Sequence, residues 1–380
     1  MRSANIKYLP EVDHLRALAA VLIVFFHGFQ LFLAKIAYNA DPNISQWVHT
    51  TNPLLAVIVE GHTAVALFMV LTGFIFTYGT YDAPFSTRLF LVNRVLRIYP
   101  LFVALILAGI VVYPSNFSFL GLLQTLFLFA NFPGALDVHE YSNIFWSISV
   151  EFQFYLIFPV LIFVTRKRGI GFLVQLVAVA IAFRMLIILS GGRPNIISYS
   201  YINGRIDQFV LGMLAAFALR KGLLTPARCR WLLAPAAASV IAILYGFHRL
   251  GGFPLADPWK IVWPTIEGGM WALLVASYVG ASLRMPALVS WILCKIGERS
   301  FSIYLLHFVL LTILVKHNVT ISVGRPGLSA IVSTAVLLLP VTLALSALTY
   351  STIEEPFLNL RKRYIEKQPA VAPPEAVESQ

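Results

Sequence analysis

Residues 11–29 read EVDHLRALAAVLIVFFHGF, and the apolar run from 17 to 34 is interrupted only by His27 and Gln30. Its length as a helix is about 27 Å at 1.5 Å per residue, close to the roughly 30 Å hydrocarbon core of a bilayer. Nine comparable runs follow, at 54–78, 98–113, 145–165, 170–190, 205–219, 231–248, 262–281, 300–316 and 328–350, of which 98–113 and 205–219 are the shortest. The expected fold is therefore all-α: a polytopic transmembrane helical bundle of about ten spans. Composition agrees, since 59% of the 380 residues are hydrophobic and only 12% are charged, against about 25% in soluble domains. A cytosolic globular protein, a disordered chain and a collagen-like fibre are excluded. The charged-then-apolar N-terminus resembles a signal peptide, but the many later runs make it a first span. Cys229 and Cys294 are too few for a disulfide framework.

Charge then sets the orientation. The segment 118–132 (SFLGLLQTLFLFANF) is apolar but short, and it follows the third run almost at once. If it crossed the membrane, Arg166, Lys167 and Arg168 and every later basic loop would face outward. If it is re-entrant or interfacial, both termini are cytoplasmic, and the inner segments carry twenty Lys and Arg against six outside. The positive-inside rule favours the second arrangement, and it accounts for the net charge of +11 without a nucleic-acid partner. Residues 1–365 read as one membrane domain, and the Pro-, Ala- and Glu-rich 366–380 as a disordered cytoplasmic tail.

Ionisable side chains at membrane depth are costly and mark function by default. Arg16 and His27 are eleven residues apart, hence on one helix face, with His27 near the bilayer midplane. In FLVNRVLRIYP (90–100), Arg94 and Arg97 share a face. Pro100 behind them suggests that the third span starts there, its amides adding to two guanidinium forks as an anion site. In NIFWSISVEFQFYLIFP (143–159), Ser147, Glu151 and Tyr155 form one stripe with Trp146 adjacent. In IGERSFSIYLLHF (296–308), Ser300, Tyr304 and His307 share another. Each has a plain counterpart: a packed histidine, ordinary inside charge, or polar glue between helices. Glu60, His62, Asp207 and Glu267 add polar groups near span ends, while Gly61, Gly73 and Gly109 read as close-packing positions. Soluble-enzyme signatures such as a P-loop, a G-x-S-x-G elbow or H-E-x-x-H do not occur, and the histidines lack ligand spacing, so no metal is expected.

Taken in order, YLPEVDHLRALAAVLIVFFH, FMVLTGFIF, NRVLRIYP, FWSISVEFQFYLIFP and FSIYLLH resemble the acyltransferase-3 family of membrane acyltransferases, from about residue 8 to Pro356. The resemblance implies a ten-span domain in a bacterial-type inner (plasma) membrane, moving an acyl group, usually acetyl, from coenzyme A to a hydroxyl. The acceptor would be an extracytoplasmic glycan such as lipopolysaccharide, or a lipid-linked sugar; a small-molecule acceptor such as a macrolide is open to related proteins. By this likeness His27, Glu151, Tyr304 and His307 are the catalytic candidates. Arg16, Arg94 and Arg97 would serve the coenzyme, and Trp146 and Ser147 the acceptor. His14 stands where the family usually has Gly, and Thr72 where it usually has Ser. Some members append an extracytoplasmic esterase-like domain. None is present in these 380 residues, so the acceptor is expected to meet the membrane domain itself or a partner.

The mechanism expected is acyl transfer across the membrane. The arginines hold the coenzyme phosphates at the inner face, and His27 acts as general base on the acceptor hydroxyl or carries the acyl group itself. Glu151 or Tyr304 would orient that histidine. The rival reading is a proton-coupled transporter or lipid-linked sugar translocator that uses His27, Glu151 and His307 as a relay. A third is an inactive scaffold in a glycan-assembly complex.

Overall fold

A computed structural model describes residues 8–41 and 47–365. The proposed tail 366–380 lies outside the described residues, as do Arg2, Lys7 and Lys367 of the charge count. The chain runs through α1 (Pro10–Tyr38), α2 (Pro53–Val59), α3 (Ala64–Thr80), α4 (Thr87–Val112), α5 (Phe119–Leu126), α6 (Phe145–Arg168), α7 (Gly171–Leu189) and α8 (Pro194–Ser200). It continues through α9 (Ile202–Arg220), α10 (Pro226–Arg249), α11 (Trp263–Ala281), α12 (Ala287–Glu298), α13 (Ser300–Lys316), α14 (Pro326–Ser333), α15 (Leu339–Thr349) and α16 (Glu355–Leu358). Among the described residues there is no β-strand beyond one isolated bridge, Phe85 with Ile365.

Among the described residues eight helical segments are long and apolar enough to cross a membrane, and a ninth if α12 and α13, bent by 68°, count as one broken span. The protein is an all-helical integral membrane protein. The remaining expected span, 262–281, is α11, a helix of 19 residues that is buried along most of its length but falls outside that set. The segment 118–132 holds only α5, eight residues long, or about 12 Å of helix, which is too short to cross.

Three expectations about individual spans need correction. α4 starts at Thr87, capped by the Ser86 hydroxyl accepting from the Leu89 amide at 3.3 Å, and Pro100 lies inside it. No helix start adjoins Arg94 and Arg97, so their amides are engaged along the helix and contribute no anion site. An apolar run marks only the lipid-facing length of a helix, which here continues for turns before it. The run 54–78 is divided by a single 3₁₀ turn, Gly61–Thr63, behind Glu60. The last run is one helical stretch, Pro326–Leu358, interrupted by π-helical segments at Thr334–Leu338 and Tyr350–Glu354. Such insertions turn side chains out of the α register, and the second aims Glu354 at Arg97.

Close packing follows the small residues. A β-carbon on Gly73 of α3 would stand 1.9 Å from the Phe209 carbonyl oxygen, and one on Gly212 of α9 would stand 2.0 Å from that of Val70. The two helices therefore cross backbone to backbone, as membrane helices do where they lack side chains. Gly61 and Gly109 meet side chains instead, with a β-carbon 2.8 Å from Phe26 Cβ and 2.6 Å from Val138 Cγ2. His14, the departure in the first motif, ties α1 to α11 and α12: its ring nitrogens lie 2.9 Å from the Tyr278 hydroxyl and 2.9 Å from the Ser290 hydroxyl.

Candidate active site

The intramembrane polar residues converge on three cavities in series. The first, about 510 Å³, is a basic chamber with Arg16, Arg94, Arg97, Lys295 and Arg361 in its wall. The second is a throat of about 100 Å³ that shares Arg16, Arg94 and Arg97 with the first and adds Thr72, Ser147, Glu151, Tyr155 and Tyr304. The third is a chamber of about 390 Å³ that shares Val65 and Tyr304 with the throat and contains His27, His62, Trp146 and Tyr199. The residues on α1 thus divide as their spacing suggests, Arg16 at the basic end and His27 at the far end.

In the basic chamber Arg94 and Arg97 project together from α4. The Arg94 guanidinium lies over the rings of Phe76, at 5.0 Å, and Tyr155, at 5.9 Å, and its Nε has no hydrogen-bond partner. Arg97 pairs with the buried Glu354 at 3.3 Å and donates to the Glu298 carbonyl at 3.4 Å. Arg16 pairs with Asp13, one turn earlier, at 3.1 Å. Arg361, beyond the last span, is a member that sequence reading missed. Burial, and then repulsion from Arg97 and Arg94, lower its guanidinium to about 10. In sequence it is one basic residue of a cytoplasmic loop, more than 260 positions from Arg94, and nothing local marks it. Lys295 was missed for the same reason.

In the throat, Glu151 accepts from the Thr72 hydroxyl at 2.9 Å and from the Tyr155 hydroxyl at 2.6 Å. Thr72 thereby keeps the hydroxyl of the usual serine. Ser147 donates to the Ile144 carbonyl at 3.0 Å, so the 2.7 Å contact between Ser147 and Tyr304 has the phenol as donor. Ser300 and Tyr304 line the throat as their common face implies, and His307 lies one turn further on.

In the histidine chamber the partner of His27 is His307, whereas Glu151 and Tyr304 make no hydrogen bond to it. The His27 Nδ1 and His307 Nε2 atoms are 2.9 Å apart, and His307 Nδ1 is 3.1 Å from the Ile303 carbonyl. A carbonyl can only accept, so His307 carries its proton on Nδ1 and offers its Nε2 lone pair. The His27 proton is then on Nδ1, and its Nε2 lone pair is available as a base. Trp146 lines this chamber, while Ser147 is reached only from the throat. Beside them Glu60, fully buried, accepts from Trp47 Nε1 at 3.1 Å, His62 Nε2 at 3.1 Å, His248 Nδ1 at 2.8 Å and the Phe253 amide at 3.2 Å. Asp207 belongs elsewhere, in a buried pair with Arg184 at 2.8 Å that fastens α7 to α9. Among the described residues no group of three His, Cys, Asp or Glu side chains is arranged to hold a metal ion.

The chain is 26% identical to the acyltransferase MdmB of Streptomyces mycarofaciens, over 97% of each protein. It is 24% identical to a Staphylococcus aureus (strain MRSA252) protein carrying an O-acetyltransferase name, over 95% of this chain but 60% of that relative's length. It is 28% identical to nodulation protein 10 of Rhizobium leguminosarum bv. viciae over 44% of this chain. No solved structure matches it. The model of an acyltransferase domain, of the acyltransferase-3 type, matches residues 9–351. Extending from the first turn of α1 to the π-helical segment before α16, that match makes the chain a member of the acyltransferase-3 family, an enzyme that transfers acyl groups other than aminoacyl groups.

Proposed function

We propose that the protein is an O-acyltransferase of the bacterial-type inner membrane that moves an acyl group, acetyl in the simplest case, from acyl-CoA to a hydroxyl of an extracytoplasmic glycan or glycolipid. The observation that carries this reading is the series of cavities, basic at one end and lined at the other by His27, whose hydrogen-bond partner is His307. A nucleotide thioester is polyanionic at one end and neutral along its pantetheine arm. The basic chamber suits its phosphates, because guanidinium forks match phosphate oxygens bidentately. The throat suits a thin neutral arm, and the thioester would emerge beside His27.

The chemistry then needs one base. His27 Nε2 takes the proton of the acceptor hydroxyl as the oxygen attacks the thioester carbonyl, and His307 Nε2, accepting from His27 Nδ1, stabilises the imidazolium that forms. Collapse of the tetrahedral intermediate breaks the carbon–sulfur bond, and the proton returns from His27 to the departing thiolate. Glu151 touches neither reactant in this scheme. It is a positioning residue that fixes Thr72 and Tyr155 in the throat wall.

In this reading the basic chamber faces the cytoplasm, ten segments cross the membrane and both termini are inside. Two experiments test it. Membranes that carry the protein together with the envelope glycans, given acetyl-CoA, should release CoA in step with glycan acetylation, and no release by folded wild-type protein there would overturn the reading. A Lys167→Cys variant in intact cells should be silent to an impermeant thiol probe, and labelling from outside would reverse the orientation.

A further inference from the structure

The carboxylates of the basic chamber do not offset its cations evenly. Arg16 pairs with Asp13, Arg97 with Glu354, and Lys295 with Glu298 at 3.3 Å. Arg94 and Arg361 line the same chamber, and among the described residues neither pairs with a carboxylate. Two uncompensated guanidinium groups in one chamber call for two anionic groups on whatever fills it.

The two stand at different places. Arg94, like Arg16 and Arg97, lines both the chamber and the throat, whereas Lys295 and Arg361 line the chamber alone. Arg361 is also held in place. The buried Asn93 side chain, beside Arg94 on α4, donates to the Lys362 carbonyl at 2.6 Å and accepts from the Lys362 amide at 3.0 Å. The Ser86 amide donates to the Tyr364 carbonyl at 2.9 Å. These bonds dock the segment after α16 along the first turns of α4. Arg361 Nε donates to the Leu358 carbonyl at 3.0 Å, which leaves its two terminal nitrogens for a ligand. The repulsion from Arg97 and Arg94 that helps to lower this guanidinium is relieved by an anion set between them.

The order of the cavities maps onto the order of groups in the donor. A pantetheine arm threaded through the throat ends in the diphosphate, which then lies at the mouth beside Arg16, Arg94 and Arg97. The next anionic group along coenzyme A is the 3′-phosphate of its ribose. A chamber of about 510 Å³ is of small-molecule size and the throat of about 100 Å³ is not, so the nucleotide stays in the chamber. We propose that Arg361, assisted by Lys295, is the specificity-determining contact for that 3′-phosphate, so that the enzyme selects acyl-CoA over thioesters without it, phosphopantetheine on a carrier protein included. A phosphomonoester carries about −1.5 to −2 charges at pH 7 and matches a guanidinium fork bidentately. This inference rests on the acyl-CoA donor of the proposed function and adds to it a residue outside the Arg94–Arg97 pair.

The test titrates full-length protein in detergent, by calorimetry, with acetyl-CoA and with acetyl-dephospho-CoA, which differs only in lacking the 3′-phosphate. Wild type should bind acetyl-CoA about ten- to a hundredfold more tightly. Arg361→Gln should lose about tenfold in acetyl-CoA affinity and change that of the dephospho form by less than about threefold. Arg361→Lys keeps the charge without the fork and should recover part of the loss. Arg94→Lys with Arg97→Lys should weaken both ligands alike, because the diphosphate is common to them. Equal affinity of wild type for the two ligands would overturn the assignment. So would an equal loss of both ligands in Arg361→Gln with its melting transition intact, and if that variant does not fold, Arg361→Lys with undiminished discrimination would do the same. Wild type that binds neither ligand would instead fail the acyl-CoA reading beneath it.

Discussion

The two chambers that flank the throat hold their polar groups by opposite means. The basic chamber gathers Arg16, Arg94, Arg97 and Arg361 from α1, α4 and the segment after α16. Its carboxylates, among them Asp13 and Glu354, pair individual arginines but leave repulsion among them, since Arg361 is lowered in part by its neighbours. The histidine chamber contains no such crowd. The imidazoles in and behind its wall are linked by directional bonds that run from His27 through His307 to the Ile303 carbonyl, and from His62 and His248 to Glu60. In the proposed reading the first takes up opposite charge and the second transfers a proton. The first should be sensitive to charge and guanidinium geometry, the second to single ring nitrogens.

The largest expected effect tests the second half of that contrast. His27→Ala should lower acyl transfer about 10²- to 10⁴-fold while the protein still inserts, since Ala is well tolerated in a helix. His307→Ala should cost less, because it removes only the orienting partner, and the pH dependence of the remaining activity should shift. Activity of His27→Ala within tenfold of wild type would reduce the pair to packing.

Next comes the first half. Arg94→Lys with Arg97→Lys preserves charge and orientation but loses the forked geometry. Acetyl-CoA affinity measured by calorimetry should fall about ten- to a hundredfold, and unchanged affinity would return both arginines to a topological role. Arg361→Gln should weaken the donor by about tenfold and yet raise the melting temperature of the donor-free protein. The sign follows from linkage. A folded-state pKa of about 10, below the ordinary guanidinium value, means that the folded protein holds this proton less tightly than the unfolded chain. The charged form is therefore a destabilising feature at neutral pH, and stability from this group would rise as pH passes upward through 10. A lower melting temperature in Arg361→Gln would contradict the crowding.

The smallest effects belong to the throat. Thr72→Ser keeps the hydroxyl that Glu151 accepts from and should change transfer by less than a factor of about three. Thr72→Val leaves one bond to Glu151, from Tyr155, and should cost about 1 kcal/mol of stability by thermal melting.

By itself the sequence determined which side chains share a face of one helix. The shared face of Arg16 and His27, that of Arg94 and Arg97, and the stripe joining Glu151 to Tyr155 are periodicities of 3.6 residues, and the helices that carry them are present in the fold. The 118–132 segment was read from its short length together with the basic cluster Arg166–Arg168 behind it. What only the tertiary structure decided is which stripe meets which. His27 and His307 are 280 positions apart, Arg97 and Glu354 meet through a π-helical offset that no α periodicity encodes, and Arg361 reaches the basic chamber from a loop. The start of α4 also escaped, because hydropathy registers the lipid and not the hydrogen bonds that carry a helix beyond it. Local backbone geometry is written in spacing, whereas a site assembled between helices depends on their packing, and that depends on contacts such as Gly73 against Phe209 that look like any other glycine in the sequence.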